Sequence, residues 1–259
     1  MEHISLREDG HVLVITLNRA EKYNALSITM HRELAQALAR LNRDDNLRVA
    51  LLCAEGKHFT AGVELDQWAP IFGSGKGMPA IAGGIDPFGM QGERHAKPIV
   101  MATQGYCFTW GVEILLNTEI RIAASDSQFQ MLEVQRGLYP CCGATFRLPR
   151  EIGWGNAHKV LLTGERWSAE DALRWGMVQE VVAPGEQVAC AMDYARKIAD
   201  CAPLGVQGAL RSTRTAQAGP HARAVEEMYR YLMPVMASED AAEGVRSFIE
   251  RRKAVFTGR

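Results

Sequence analysis

The sequence predicts an α/β fold in which short apolar strands alternate with helices, followed by a helical C-terminal region. The first observation is a set of runs, four to six residues long, that are rich in aliphatic side chains. They are Val12–Leu17, Val49–Leu52, Pro98–Thr103 and Ile120–Ala123. The second observation is the helical spacing of apolar residues between and after these runs. Alternation of strands and helices is typical of an α/β core.

The first strand follows a turn signal at Asp9-Gly10, and the first helix comes next along the chain. Ser27 has the short hydroxyl side chain favoured at a helix N-cap, where it accepts a hydrogen bond from a backbone N–H of the first turn. Apolar residues then line one helical face: Met30, Leu34, Leu38 and Leu41. The second strand leads into a loop that contains Gly56.

Residues 66–92 have an unusual composition. They hold seven of the 24 glycines and three of the 10 prolines. Such a density disfavours regular structure, and long ordered loops in compact domains tend to be functional. We therefore predict an irregular loop over 66–92 that could act as a lid over a bound substrate.

The third strand runs into Gly105, and a helix is predicted to follow over residues 110–117. The fourth strand leads to Phe129. Helical patterns then dominate to the end of the chain: Ala169–Trp175, Gln187–Ala199 and, in the C-terminal third, Glu226–Arg252.

Charge and cysteine usage exclude several function classes. The 29 basic and 30 acidic residues give a net charge of −1, which offers no general attraction for nucleic acid or anionic membranes. None of the six cysteines forms a C-x-x-C pair, so we expect reduced thiols and a cytoplasmic location. No apolar run reaches the roughly 18 residues that a membrane span needs.

The motifs of metal and dinucleotide enzymes are missing from the sequence. The seven histidines are scattered, without the spacing of a metal site. Gly153-Trp154-Gly155 lacks the third glycine and the preceding strand of a dinucleotide fingerprint, and no G-x-S-x-G nucleophile motif occurs. We expect no metal and no redox cofactor.

Four separated segments together resemble the crotonase (enoyl-CoA hydratase/isomerase) superfamily. They are Leu17–Leu26, Gly56–Leu65, Lys97–Glu113 and Phe129–Arg150. They follow the order and spacing of the blocks LNRPEKxNAL, GKAFSAGADL, KPVIAAVxGYALGGGxEL and FGxPEVxLGLxPGxGGTQRLPR. Weaker similarity continues at Leu162-Thr163-Gly164, Asp240–Gly244 and Phe256–Arg259. The resemblance therefore covers essentially the whole chain.

The resemblance implies a crotonase-like right-handed spiral of ββα units over residues 1–200 and a helical trimerisation region over 201–259. It also implies a homotrimer or a dimer of trimers. The implied activity is that of an enoyl-CoA hydratase, which adds water reversibly across the 2,3 double bond of a thioester. Coenzyme A would enter as part of the substrate rather than as a separate cofactor.

Water addition builds negative charge on the thioester oxygen, which requires donors placed where that charge develops. By resemblance, these donors are the backbone N–H groups of Val63 and Trp110. The Trp110 amide is also predicted to start a helix, where unpaired N–H groups favour an anion. The Trp110 side chain is interpreted as a core aromatic.

The resemblance assigns acid/base chemistry to two glutamates. Glu113 precedes Ile114-Leu115-Leu116, and Glu133 lies between Leu132 and Val134. A carboxylate among apolar residues is usually paired or perturbed for a purpose. Glu113 is expected to act mainly on the water, and Glu133 to deliver a proton to the α-carbon.

The family's coenzyme A contacts fall on three parts of the chain. Lys22 and Ala25 match positions near the adenine. The loop that contacts pantetheine corresponds to Ala61, Gly62, Glu64, Leu65 and Asp66. Lys253 and Phe256 match the C-terminal segment that approaches the nucleotide, which could come from a neighbouring subunit.

Two segments depart from the family pattern. Thr109-Trp110-Gly111 replaces a triple glycine, and Cys141 and Ala144 replace glycines of the PGxGG turn. The added side chains are expected to reshape the pocket and to disfavour short-chain crotonyl-CoA. Cys141 could be a nucleophile, although cysteine more often serves as a small apolar residue.

Other functions on the same scaffold stay open at this point. An enoyl-CoA isomerase commonly needs only one of the two glutamates, so the presence of both favours hydration. An acyl-CoA hydrolase is a further alternative. A non-catalytic acyl-CoA-binding protein would bind thioesters without turning them over.

Overall fold

A computed structural model describes residues 1–74, 78–219 and 221–259. The fold is a mixed α/β arrangement with two sheets. One has six strands in the order β1-β2-β3-β4-β6-β9, and the other has three in the order β5-β7-β8. The strands are β1 (Ile4–Asp9), β2 (Val12–Leu17), β3 (Val49–Ala54), β4 (Ile99–Thr103), β5 (Tyr106–Phe108), β6 (Ile120–Ala124), β7 (Gln128–Gln130), β8 (Trp167–Ser168) and β9 (Glu180–Val182).

The helices lie between and after these strands. They are α1 (Ile28–Arg43), α2 (Leu65–Gly73), α3 (Trp110–Leu115), α4 (Ala144–Glu151), α5 (Trp154–Thr163), α6 (Ala169–Arg174), α7 (Gln187–Ala199), α8 (Pro203–Ala218), α9 (His221–Met236) and α10 (Glu239–Glu250). Two 3-10 turns, Ala20–Lys22 and Glu133–Arg136, complete the set of elements. The predicted N-cap of α1 is confirmed, because the Ser27 side chain accepts a hydrogen bond from the Met30 amide.

The chain repeats a strand, a second strand in the other sheet, and a helix, as expected for ββα units. β4 pairs in parallel with β3 and β6 in the large sheet, while β5 pairs in parallel with β7 in the small one. The segment after β3 joins the small sheet through a parallel bridge between Thr60 and Cys107. Three successive turns of the chain are therefore stacked in register.

The four central strands of the large sheet, β2, β3, β4 and β6, are buried on both faces, which explains why they are mostly apolar. In β2, Val12 and Val14 pack with α7 residues such as Ala195. The alternate residues Leu13 and Ile15 face the larger core, which also includes α1 and α3. Alternation along each strand thus supplies two separate cores.

The prediction of an irregular loop over 66–92 is wrong for its first part, because α2 extends to residue 73. This helix forms in spite of Pro70. Trp68 is fully buried, and its indole N–H donates to the Leu26 carbonyl at 2.7 Å, so tertiary packing anchors the helix. Residues 78–92 are irregular, as predicted, and residues 75–77 lie outside the described residues.

Candidate active site

The three stacked turns end at neighbouring positions, and each end contributes one part of the candidate site. The first turn ends at Gly62-Val63, and the second at Thr109-Trp110, just before Glu113. The third ends at Glu133, after β7. The Thr109 amide donates to the Gln130 carbonyl at 2.8 Å, and a Cβ on Gly62 would lie 3.0 Å from the Thr109 hydroxyl. The spiral therefore brings together residues that are 70 positions apart in sequence.

Both predicted oxyanion donors are available to a ligand. Leu26 pairs with the Val63 segment through the flanking groups, because its amide donates to the Gly62 carbonyl and its carbonyl accepts from the Glu64 amide. Trp110 is the first residue of α3, where the N–H has no intrahelical acceptor. Within the described ranges, neither the Val63 amide nor the Trp110 amide donates to a protein acceptor.

The Trp110 side chain is buried, as predicted, but it also makes a polar contact that the sequence does not reveal. Its ring is 2% exposed and lies 6.2 Å from the Phe59 ring, centroid to centroid. Its indole N–H donates to the Gly62 carbonyl at 2.6 Å. The indole thus points into the wall beside the site rather than into the space for an acyl group.

Thr109 has a strained backbone at a position where the family has glycine. Its φ is 51° and its ψ is −112°. Positive φ is rare for a β-branched residue. In the described part of the chain, its buried hydroxyl has no hydrogen-bond partner. Strain and an unpaired polar atom therefore occur together next to the oxyanion donors, as is common at functional sites.

Glu113 is held deep in the protein and forms no salt bridge within the described residues. The Arg147 guanidinium lies within electrostatic range, because the charge of Glu113 opposes the burial that lowers the pKa of Arg147. Glu113 is 3% exposed, and its Oε1 accepts hydrogen bonds from the Cys142 amide at 2.7 Å and the Ala144 amide at 3.3 Å. Burial, followed by the charge of Glu133, raises its pKa to about 8 against the opposing effect of the two amide hydrogen bonds. The site can therefore keep a proton on this carboxyl near neutral pH.

Glu133 begins the 3-10 turn after β7 and is the second carboxylate. Burial is the main cause that raises its pKa to about 7. Its Oε2 is buried, and no hydrogen-bond partner for it lies in residues 1–74, 78–219 and 221–259. The charge of Glu133 raises the pKa of Glu113, so the two carboxylates lie within electrostatic range of each other.

Cys141 lies at the edge of this carboxylate pair. Its charged form would raise the pKa of both glutamates, so its sulfur is close to each of them. Its Sγ lies 3.9 Å from the Cys142 Sγ, and this contact lowers the pKa of the Cys141 thiol to about 7. Cys141 itself is exposed, contrary to a role as a small buried residue, and Cys142 takes the buried position.

Two of the three segments predicted to contact coenzyme A lie next to each other, close to the predicted oxyanion donors. The Ala61 amide donates to the Tyr23 carbonyl at 3.0 Å, which joins the turn at Lys22 and Ala25 to the segment that starts at Ala61. Lys22 is exposed. Leu65 and Asp66 begin α2 instead of continuing a loop. The Glu64 carboxylate pairs with Arg19 at 3.0 Å, and its carbonyl accepts from the Gln67 and Trp68 amides, so the polar groups of Glu64 are already bonded within the protein.

Lys253 and Phe256 lie elsewhere. Lys253 pairs with Asp200 at 2.6 Å, and the Phe256 carbonyl accepts from Arg48, next to the first residue of β3. The candidate site lies beyond the last residue of β3. A six-residue strand spans roughly 20 Å, so within one chain these two residues are at the opposite end of the sheet.

The rest of the described structure shows no feature of metal or membrane chemistry. Across residues 1–74, 78–219 and 221–259, no three His, Cys, Asp or Glu side chains are grouped so that they could hold a metal ion. Within the same ranges, no helix combines the length and apolar composition needed to cross a membrane. All six cysteines are free thiols.

The fold is that of the crotonase superfamily. Residues 7–259 match the model of the family described as enoyl-CoA hydratase/isomerase. The chain therefore belongs to the enoyl-CoA hydratase/isomerase family.

Individual relatives match over nearly their whole length. The enoyl-CoA hydratase EchA19 of Mycobacterium tuberculosis is 35% identical, with 96% of this chain and 94% of the relative covered. The carnitinyl-CoA dehydratase of Escherichia coli K12 is 33% identical, with 100% and 99% covered. The crystal structure of a probable enoyl-CoA hydratase/isomerase of Mycobacterium abscessus has a TM-score of 0.96 at 43% identity, with 99% of each chain covered.

Proposed function

We propose that this protein is an enoyl-CoA hydratase that uses Glu113 and Glu133 on a water molecule and the Val63 and Trp110 amides on the thioester oxygen. The observation that carries the proposal is the carboxylate pair. Both members have a raised pKa, about 8 and about 7, and Glu113 forms no salt bridge within the described residues. Two carboxylates that can share one proton near neutral pH can act together as acid and base.

The proposed step is balanced in protons and electrons. The water oxygen bonds to C3 of the enoyl group while the ionised carboxylate takes a proton from the water. The π electrons of the double bond move towards the thioester oxygen, whose charge the two amides stabilise. C2 then takes the proton of the other carboxyl group. The pair ends with one proton, as it began, and one water has been added.

The same residues can catalyse the reverse reaction, so the proposal includes the dehydration of 3-hydroxyacyl thioesters. A relative with full coverage is named carnitinyl-CoA dehydratase. Removal of water from a 3-hydroxyacyl thioester needs the same two carboxylates and the same oxyanion donors. We therefore propose a hydro-lyase whose direction depends on the concentrations of its thioesters.

Self-association through the C-terminal helices is a further part of the proposal. Several large apolar side chains of α9 and α10 are exposed: Leu232, Met233, Met236, Val245, Phe248 and Ile249. Phe248 alone is 85% exposed. Contiguous exposed apolar surface favours a protein interface, which supports a homotrimer or a dimer of trimers. Sedimentation equilibrium would give the number of copies, and a monomer would contradict this part.

The test is the loss of conjugated-thioester absorbance across a panel of 2-enoyl-CoAs, with Glu113→Gln and Glu133→Gln beside the unchanged protein. We expect hydration with some member of the panel and a loss of roughly 100-fold or more in each variant. Glu33→Gln is a matched control, because Glu33 is also buried but accepts hydrogen bonds from the amides of His3 and Ile4, away from the site.

The other outcomes identify the alternatives. A gain of absorbance with 3-enoyl-CoAs and none of the hydrated product would indicate an isomerase. Release of free thiol would indicate a hydrolase. Binding of the thioesters without any of these changes would indicate a binding protein and contradict the proposal.

A further inference from the structure

We propose that the Trp110 side chain is a positioning residue that orients and polarises the Gly62–Val63 peptide, so that one residue supplies one oxyanion donor and aligns the other. This inference rests on the proposed function. It concerns the indole N–H, which a family glycine at this position could not provide.

The carbonyl that the indole contacts and the predicted donor N–H belong to one peptide unit. The carbonyl of Gly62 and the amide N–H of Val63 lie at the two ends of a planar amide with partial double-bond character. In a trans peptide they point in opposite directions. A hydrogen bond accepted by the carbonyl therefore determines where the N–H points, and it also makes the N–H a stronger donor through polarisation.

Two N–H groups hold the Gly62 carbonyl. The Trp110 indole N–H donates to it at 2.6 Å, and the Leu26 amide donates at 2.8 Å. The Thr60 hydroxyl is also 3.3 Å from this oxygen, but it lies closer to the Asn24 carbonyl, at 2.8 Å. Gly62 has a φ of 120°, and because glycine has no side chain its backbone is less restricted than that of other residues. The two hydrogen bonds thus provide the orientation that the residue type does not.

The packing around Trp110 restricts the orientation of its indole ring. Trp110 is 2% exposed and packs against Phe59, so its ring has little freedom to rotate. The next residue, Gly111, has no room for a side chain, because a Cβ there would lie 2.5 Å from a Thr60 methyl group. The backbone and side chain of Trp110 are therefore held by the same packing.

A plain structural role would require only that a buried indole N–H has an acceptor, which is usual for tryptophan. Trp68 shows this case in the same protein. It is fully buried, and its indole donates to the Leu26 carbonyl at 2.7 Å. That carbonyl belongs to a peptide whose N–H is not an oxyanion donor, so Trp68 is a matched control.

The experiment compares Trp110→Phe with Trp68→Phe. Phenylalanine keeps an aromatic ring and removes the N–H. For Trp110→Phe we expect kcat to fall about tenfold with KM nearly unchanged, a smaller loss than the roughly 100-fold that follows removal of a direct oxyanion donor. For Trp68→Phe we expect a lower unfolding temperature and an unchanged kcat.

A second readout is independent of turnover. Bound 4-(dimethylamino)cinnamoyl-CoA absorbs at longer wavelength when its thioester carbonyl is polarised by hydrogen bonds. We expect a large red shift with the unchanged protein and with Trp68→Phe, and a smaller one with Trp110→Phe at saturation. Replacement of Trp110 by β-(3-benzothienyl)alanine, which has the indole shape without the N–H, should reproduce the smaller shift.

The outcomes separate the two proposals. A full red shift and normal kcat in both Trp110 variants would overturn the positioning role and leave the hydratase proposal intact. A bound chromophore without any red shift in the unchanged protein would overturn the oxyanion assignment itself, and the positioning role with it.

Discussion

Two carboxylates near the two ends of α3, the buried Glu113 and the partly buried Glu119, are in opposite electrostatic states. Glu113 lies in the first turn, where two amides are its only hydrogen-bond donors among the described residues, and its pKa rises to about 8. Glu119 lies just after the helix. Burial would raise its pKa too, but hydrogen bonding by His95 and the charges of His95 and Arg214 outweigh burial and lower it.

The surroundings of the two carboxylates differ in the same way. Past the C-terminal end of the helix, the Thr118 hydroxyl donates to the Leu115 carbonyl at 2.7 Å, and Glu119 accepts from the Ile99 amide at 2.8 Å. At the N-terminal end, Thr109 is strained and its hydroxyl has no partner within the described ranges. One end is satisfied and stabilises the fold, whereas the other keeps strain and unpaired donors where chemistry is proposed.

The largest expected effect is a difference in the pH dependence of stability. The folded pKa of Glu113 is about 8 against an ordinary 4.5, so between these pH values the folded state holds a proton that the unfolded state has lost. Stability therefore falls as pH rises through this window, by up to about 1.4 kcal/mol per unit of pKa difference. We expect Glu113→Gln to unfold at a higher temperature than the unchanged protein at pH 9, and the gap to shrink at pH 5.

Thermal unfolding at a fixed protein concentration checks this prediction. Glu133, whose pKa is also raised, is present in both proteins, so its own titration contributes to both unfolding curves. An equal gap at pH 5 and pH 9 would show that Glu113 is not protonated in the folded state near neutral pH.

Glu119→Gln should lower the stability of the folded protein, whereas Glu113→Gln raises it at high pH, and the effect should be of intermediate size. The Glu119 substitution removes the charge that Arg214 contacts at 2.7 Å, and we expect a loss of about 1–3 kcal/mol at pH 7. Because the folded pKa of Glu119 is lowered, its contribution is present above the unfolded pKa and is lost as pH falls through the folded value. Urea unfolding measures the loss, and kcat should stay normal. A fall in kcat as large as that of Glu113→Gln would contradict the assignment of Glu119 to stability and of Glu113 to chemistry.

The smallest expected effect concerns the strained residue. Thr109→Gly should relieve the cost of a positive φ, which is about 1–3 kcal/mol, against an entropic cost of about 0.4–1 kcal/mol for the added glycine. We expect a net gain of about 1 kcal/mol by urea unfolding. Thr118→Gly is the control at the other end of the helix and should destabilise the protein, because it removes a satisfied hydroxyl. Destabilisation by both changes would argue against strain at Thr109.

Local patterns predicted much of this fold. The strand Val12–Leu17 and the helix Gln187–Ala199 have the predicted bounds, because each is an uninterrupted pattern of one period. The helices α4 and α5 were not predicted, since Pro149 and the glycines around Trp154 interrupt the pattern. The C-terminal helical prediction over 226–252 is divided into α9 and α10 at Ser238, whose side chain caps α10. The trimer interface stays a prediction.

The sequence by itself determined the family, the strand and helix order, and the positions of the two glutamates and two amides, because these depend on residue type and spacing. Only the tertiary structure decided how their surroundings act on them. The burial of Glu113 without a salt bridge in the described chain, the ion pair of Glu119 with Arg214, and the indole that reaches the Gly62 carbonyl all depend on contacts between segments tens of residues apart. Burial and charge act through space, so spacing along the chain cannot specify them.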